Sequence, residues 1–397
     1  MLEKIQKIQD SARVKLIAEY ILLSAVIIEV MILIADKSRW INPYEGILFK
    51  ITFVLCLIKV LLTKYELKEY AVIFLFALAG LLVKVLGDRN EILRIVIFIA
   101  ALKNTDVRKN LKTVFWGSFA GCAVIVLLSI FGIYGELTVE KEYLGKGFIE
   151  RYCFGMGNAN TFHVMVFALA LLFMYLYREK LKWWAYALLL MADIGLFFLT
   201  DAKTPMIIMA LSVIAMYMAG FLSQKGASGL SKLYRALLAG GNVFAVLVSV
   251  FFAIAALPVY KWYFYSEFEN PWVKFDRILT GRIRMLTDTT SWADIKSWTF
   301  LPEPSHTRYF DLGFVRIFYW YGIAIALLIL LVMGALVWYL YRNEKTEALI
   351  LVTMVSFFTI FEAHFVSVYI ARCYPLFILG ACWPLMLKGK RKEAGSE

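Results

Sequence analysis

Long apolar runs alternate with short clusters of lysine and arginine from residue 16 to residue 387. A helix rises about 1.5 Å per residue, so roughly twenty apolar residues cross the hydrocarbon of a bilayer. The pattern predicts spans near 16–35, 46–62, 69–87, 91–102, 112–134, 161–177, 183–200, 204–222, 236–257, 314–341, 346–364 and 368–387. The fourth is short for a full crossing, so eleven or twelve spans are expected. No internal repeat or low-complexity linker interrupts the series. The expected fold is therefore an all-α polytopic membrane protein with about 11–12 transmembrane helices, forming one membrane domain over residues 1–397.

Orientation follows from lysine and arginine in the short connections. Positive charge collects in the N-terminal tail (Lys4, Lys7, Arg13, Lys15) and at Lys64 and Lys68. It returns at Lys103, Arg108, Lys109 and Lys112, then at Arg178, Lys180 and Lys182. The later clusters are Lys225, Lys232 and Arg235; Arg342 and Lys345; and Lys388, Lys390, Arg391 and Lys392. The intervening connections are poorer in positive charge, although Arg89 and Arg94 fit the alternation less well. Both termini are expected in the cytoplasm. Two outward segments stand out, one at 135–160 and a large extracytoplasmic loop at 258–313 between the ninth and tenth spans. The larger, rich in aromatics and arginine, is expected to lie as amphipathic helices on the outer membrane face.

Composition agrees: 61% of the 397 residues are hydrophobic and 18% charged, with mean hydropathy +0.72. The net charge of +12 does not imply nucleic acid, because the basic residues sit between spans. Five scattered cysteines without a C-x-x-C pair, and three histidines, give no zinc, iron–sulfur or disulfide signature. No metal or cofactor is expected. The first fifteen residues lack a signal-peptide pattern, so the first span is expected to stay as an anchor.

Four polar stretches interrupt this background. Leu199-Thr-Asp-Ala-Lys-Thr-Pro-Met206 places Asp201, Lys203 and Thr204 between two spans that have almost no loop. Charges at membrane depth are costly unless paired or hydrated. The stretch is either a tight polar hairpin with Lys203 reaching the interface, or an anion-binding turn. Pro205 suits the first helical turn, whose free N–H groups would face the same anion. Arg151-Tyr-Cys-Phe-Gly-Met-Gly-Asn-Ala-Asn160 is either a capped loop or a substrate loop, with Arg151 on phosphate and Asn158 and Asn160 on sugar hydroxyls. Leu279-Thr-Gly-Arg-Ile-Arg284 brings Arg282 and Arg284, suited to phosphate oxygens or to lipid headgroups. Asp311 and Arg316 lie five apart at the start of the tenth span, and His306 just before them is a candidate base or an incidental loop residue. Glu362 interrupts a late apolar run, with Arg372 or Lys203 as expected partners in a structural or catalytic role.

Taken in order, these stretches resemble the oligosaccharide repeat-unit polymerases of bacterial capsule and exopolysaccharide synthesis, which share a superfamily with the O-antigen ligases. The 151–160 stretch is similar to the family pattern R-x-x-x-G-F-x-H/N-P-N, with Ala159 in place of proline. LTDAKT resembles an S-R-T turn, with Ala202 and Lys203 replacing serine and arginine. Thr280-Gly281-Arg282 resembles a small-G-R motif of the large outer loop. The stretch 311–323 is similar to D-N-S-Y-L-R-L-L-x-x-Y-G-I, keeping Asp311, Arg316 and Gly322 but with Leu312 and Gly313 for the asparagine and serine. Glu362 resembles a late membrane glutamate of the same proteins. The resemblance spans roughly residues 145–375.

The resemblance implies a glycosyltransferase of the bacterial cytoplasmic membrane, joining undecaprenyl-diphosphate-linked repeat units at its outer face. It implies diphosphate and lipid-phosphate recognition by Arg151, Lys203, Arg282 and Arg316, and activation of the acceptor hydroxyl by Asp311 with Glu362 or His306 behind it. The expected partners are lipid-linked oligosaccharides, membrane lipids, and flippase and chain-length regulator proteins. An O-antigen-type ligase and a repeat-unit flippase are the alternatives. The single large outer loop and the absence of a two-fold repeat stand against the flippase.

Overall fold

The computed structural model describes residues 9, 11–143, 147–224, 228–265, 267–287 and 292–388. Lys4, Lys7, Lys225, Lys390, Arg391 and Lys392, which entered the orientation argument, lie outside the described residues. The chain begins with α1 (Ala12–Lys37), α2 (Glu45–Leu62), α3 (Leu67–Gly87), α4 (Glu91–Ala101) and α5 (Val107–Ile130). A β-hairpin follows, β1 (Thr138–Tyr143) and β2 (Gly147–Tyr152), and then α6 (Ala159–Tyr177), α7 (Trp183–Thr200), α8 (Lys203–Gln224) and α9 (Ser228–Phe264). The short α10 (Pro271–Ile278) lies in the long connection to α11 (Gly313–Arg342), α12 (Thr346–Phe361) and α13 (Tyr374–Lys388).

Eight of these helices, α1, α3, α5, α6, α7, α8, α9 and α11, are long and apolar enough to cross a membrane. Their outer faces carry large exposed apolar side chains, with Phe198 79% and Phe74 71% exposed. Water would make such a surface a liability, whereas hydrocarbon accepts it. The architecture is that of a helical, polytopic membrane protein.

Contacts between helix ends sort them onto two faces. On one face Lys388 meets Glu66 at 2.9 Å and Arg235 meets Glu344 at 2.6 Å, while Lys103 meets Glu69. On the other, Tyr369 donates to Asp36 at 2.7 Å and Asn160 to Glu362 at 2.8 Å. Successive helices run between the two. Even the 11-residue α4 does so: Lys103 just past its end reaches Glu69, and Arg89 just before its start donates to the His306 carbonyl.

Three features depart from the sequence reading. The segment after α5, expected as an irregular outward loop, contains a hairpin, with Thr138 opposite Tyr152 and Val139 opposite Arg151. Among the described residues the large loop carries little amphipathic helix: α9 continues to Phe264, followed by the eight-residue α10 and two short 3-10 turns. The tenth span is not continuous, because Gly322 takes φ 74° and ψ 163° inside α11. There the loop inserts: Ile323 N–H donates to the Thr299 carbonyl at 2.9 Å and Ala324 N–H to Phe300 at 3.0 Å. A Cβ on Gly322 would meet the Leu301 carbonyl carbon at 2.5 Å. The break thus turns residues 313–321 into a separate short helix that carries Arg316 toward the second face.

Candidate functional site

The site is assembled at the face that holds the hairpin. Helices α7 and α8 meet in a turn of two residues, and Asp201 makes it by adopting the left-handed conformation with φ 44°. Its N–H still donates to the Phe197 carbonyl at 2.8 Å. The turn leaves carbonyls pointing outward, and Arg151 of β2 takes them. Its Nε donates to the Thr200 carbonyl at 2.5 Å and a terminal nitrogen to the Asp201 carbonyl at 3.1 Å. Arg151 is thereby buried and ties the hairpin to the turn. From below, the buried His163 joins Thr200 Oγ1 at 2.9 Å and Asp193 Oδ1 at 2.8 Å.

Helix α8 begins at Lys203, so Thr204 and Pro205 lie in its first turn. Arg282 arrives there from the large loop. Its turn is held by Asp276 of α10, whose buried Oδ1 accepts from the N–H groups of Ile283 at 2.8 Å and Arg284 at 3.1 Å. Burial pushes the Asp276 carboxyl up, against the pull of those two N–H groups. Arg282 then donates to Thr204 Oγ1 at 2.9 Å and to Glu362 Oε1 at 2.9 Å. Asn160 Nδ2 donates to the same Glu362 oxygen at 2.8 Å. Asn158 caps α6 by accepting from Asn160 N–H at 2.9 Å, which fixes the start of the helix carrying that amide.

Glu362 follows the last residue of α12 and opens an irregular segment before α13. Gly313 lets α11 approach closely: a Cβ there would meet the Glu362 carbonyl oxygen at 2.6 Å. Asp311 is thereby brought beside Glu362, and both line a cavity of about 200 Å³ with Asn158, Asn160, Arg372 and Lys37. Asp311 makes no hydrogen bond or ion pair among the described residues. Arg316 is buried with its guanidinium 4.4 Å from the rings of both Tyr309 and Trp320. It donates to the Ala363 carbonyl at 3.4 Å, which also accepts from Arg372.

Several expectations change. Glu362 is paired with Arg282 and Asn160, not with Arg372 or Lys203, because the large loop folds back onto the start of α8. His306 does not line the cavity: its Nδ1 lies 2.6 Å from the Tyr319 carbonyl and its ring stacks on Tyr319. Arg284 packs over the Tyr263 ring at 4.7 Å, away from the cluster. Lys203 is exposed at the helix start, and Asp201 contributes its backbone carbonyl to Arg151.

Sequence reasoning missed three residues. Lys37 ends α1 two residues beyond the expected span and lines the cavity, paired with Asp36 at 2.7 Å. Adjacent opposite charges closing an apolar run were the available signal. Tyr309 lines the cavity and covers Arg316. Lys141 of β1 lies within electrostatic reach of Arg151, Arg282, Asp201 and Asp311. Burial first, and then the two arginines, hold its ammonium below the ordinary lysine value. Nothing in the sequence placed β1 over the site.

The arrangement offers two carboxylates, one of them without a hydrogen bond or ion pair among the described residues, beside Lys37, Arg282 and Arg372. Among the described residues no group of three histidine, cysteine, aspartate or glutamate side chains is arranged to hold a metal ion. Compared with protein-family models, with curated proteins and with solved structures, the chain matches none.

Proposed function

We propose that the chain is a glycosyltransferase of the bacterial cytoplasmic membrane that polymerises undecaprenyl-diphosphate-linked oligosaccharide repeat units into a surface polysaccharide. The observation that carries the reading is the convergence of Asp311, Glu362, Arg372 and Lys37 on one cavity, with Arg282 bound to Glu362 at its edge. The order of the motifs along the chain supports it as well. In this reading the helices make about twelve crossings, both termini are cytoplasmic, and the site face is the outer one.

The reaction needs a base for the acceptor hydroxyl and positive charge for the departing diphosphate. The hydroxyl oxygen of one repeat unit attacks the anomeric carbon of the lipid-linked donor. The new glycosidic bond forms as the bond from that carbon to the phosphate oxygen breaks. The electron pair leaves with the lipid diphosphate, and the hydroxyl proton passes to a carboxylate. Asp311 is the better base, because Glu362 Oε1 is already held by Arg282 and Asn160. Arg282, Arg372 and Lys37 supply charge-assisted donors for the diphosphate. Arg151 and Arg316 position the backbone around them, since both donate to carbonyls.

The test uses a knockout strain complemented with wild type or Arg282→Ala at equal membrane levels, with lipid-linked and surface glycans separated by size. Loss of long chains, with single repeat units accumulating at the outer leaflet, is expected of the variant. Repeat units trapped at the inner leaflet would overturn the reading in favour of a flippase. Long chains left on the lipid and never transferred would favour a ligase.

A further inference from the structure

The cavity of the candidate site has one wall that the proposed mechanism leaves unused. Tyr309 lines it, two residues before Asp311. The residue is 65% exposed, although its ring rests on the buried guanidinium of Arg316 at 4.4 Å. That guanidinium is held in place. It lies 4.4 Å from the Trp320 ring as well, and it donates to the Phe310 and Ala363 carbonyls, each at 3.4 Å. Trp320 is fixed in turn: its indole N–H donates to the Arg308 carbonyl at 2.9 Å, and Arg89 packs 3.7 Å from its ring. The Tyr309 ring is thus backed by a fixed cluster and open at the cavity.

An exposed tyrosine at a membrane face has an ordinary use as an interfacial anchor. The surroundings of Tyr309 favour another. Neither its hydroxyl nor the Asp311 carboxylate makes a hydrogen bond among the described residues. Asn158, on the same cavity, uses its side-chain oxygen to cap α6 and leaves its amide nitrogen unengaged among those residues. The face of an aromatic ring carries negative charge density, and it attracts the weakly positive C–H bonds on one face of a sugar ring. The hydroxyls at the edge of the sugar need donors and acceptors beside that ring. A tyrosine face bordered by a carboxylate, an amide and its own phenol supplies both. A hydrocarbon chain in the same place would leave those polar groups unpaired.

We propose that Tyr309 is the platform on which the acceptor sugar stacks, so that its attacking hydroxyl is presented to Asp311. The inference rests on the polymerase reading and adds to it a subsite for the acceptor sugar, separate from the cations that take the diphosphate.

The test uses the full chain in liposomes, with initial rates measured against the concentration of its undecaprenyl-diphosphate-linked repeat unit. Tyr309→Leu removes the ring at an exposed position. It is expected to raise KM about two- to tenfold, with kcat within about twofold of wild type, as the loss of a contact made equally in ground and transition states requires. Tyr309→Phe and Tyr309→Trp keep an aromatic face and should keep KM close to wild type. An unchanged KM in Tyr309→Leu would overturn the proposal. So would a KM raised as much by Tyr309→Phe, which would assign the effect to the hydroxyl. A fall in kcat alone would show Tyr309 acting only through Arg316, and would overturn it too. In each of these cases chain growth by wild type leaves the polymerase reading standing. No growth by folded wild type would overturn that reading, and this inference with it.

Discussion

Asp311 and Glu362 share one cavity but differ in their partners. Glu362 receives two donors on Oε1, from Arg282 and Asn160, whereas Asp311 receives none among the described residues. A carboxylate with free lone pairs accepts a proton from an incoming hydroxyl more readily than one held in an ion pair. Asp311→Asn is therefore expected to lower the rate of repeat-unit joining by about 10²–10⁴-fold, with lipid-linked substrate still bound. Single-turnover assays on reconstituted protein check this. Asp276 works one step removed, by holding the backbone that presents Arg282. Asp276→Ala leaves two N–H groups without their acceptor and should cost about 1–3 kcal/mol, seen as a lower Tm in detergent. Each of these residues except Asp276 was legible as a polar interruption of an apolar chain. Their pairing was not, since 202 positions separate Asn160 from Glu362 and 80 separate Arg282 from it. Periodicity carries no information about which distant polar residues meet.

Most helices were legible because an apolar run of membrane length has few alternatives to a helix. The exceptions have local causes. Apart from Arg316, residues 314–341 form one apolar run, so hydropathy did not mark Gly322 as a break. The break depends on a tertiary event, the insertion of residues 299–301 against the helix. Gly322→Val places a β-branched residue at φ 74° and drives its side chain into Leu301. That backbone conformation, essentially confined to glycine, costs any other residue about 1–3 kcal/mol. The variant is expected to lower Tm, and to reduce activity by displacing Arg316. Differential scanning of the solubilised protein beside a glycan-sizing assay checks both effects. The hairpin was hidden for a different reason: β1, Thr138–Tyr143, is short and polar and resembles a loop in hydropathy.

At the scale of the whole molecule, two charged faces enclose an apolar belt. Helix ends meet through ion pairs at one face and through the candidate site at the other, as alternate crossings require. The proposed topology predicts that Lys141→Cys reacts with a membrane-impermeant maleimide in intact cells. Lys180→Cys, in the connection between α6 and α7, should react only after permeabilisation. All five native cysteines are buried, so the background should be low. Labelling of both positions in intact cells would contradict the topology. The central claim concerns chemistry at the hairpin face, and one measurement meets it most directly. Purified protein in liposomes is given an undecaprenyl-diphosphate-linked repeat unit, and the lipid products are resolved by mass. The account predicts lipid-linked dimers and longer chains with release of undecaprenyl diphosphate from wild type, and their loss in Asp311→Asn and Arg282→Ala. Unchanged chain growth in both variants, or no growth with folded wild type supplied with its own repeat unit, would contradict it.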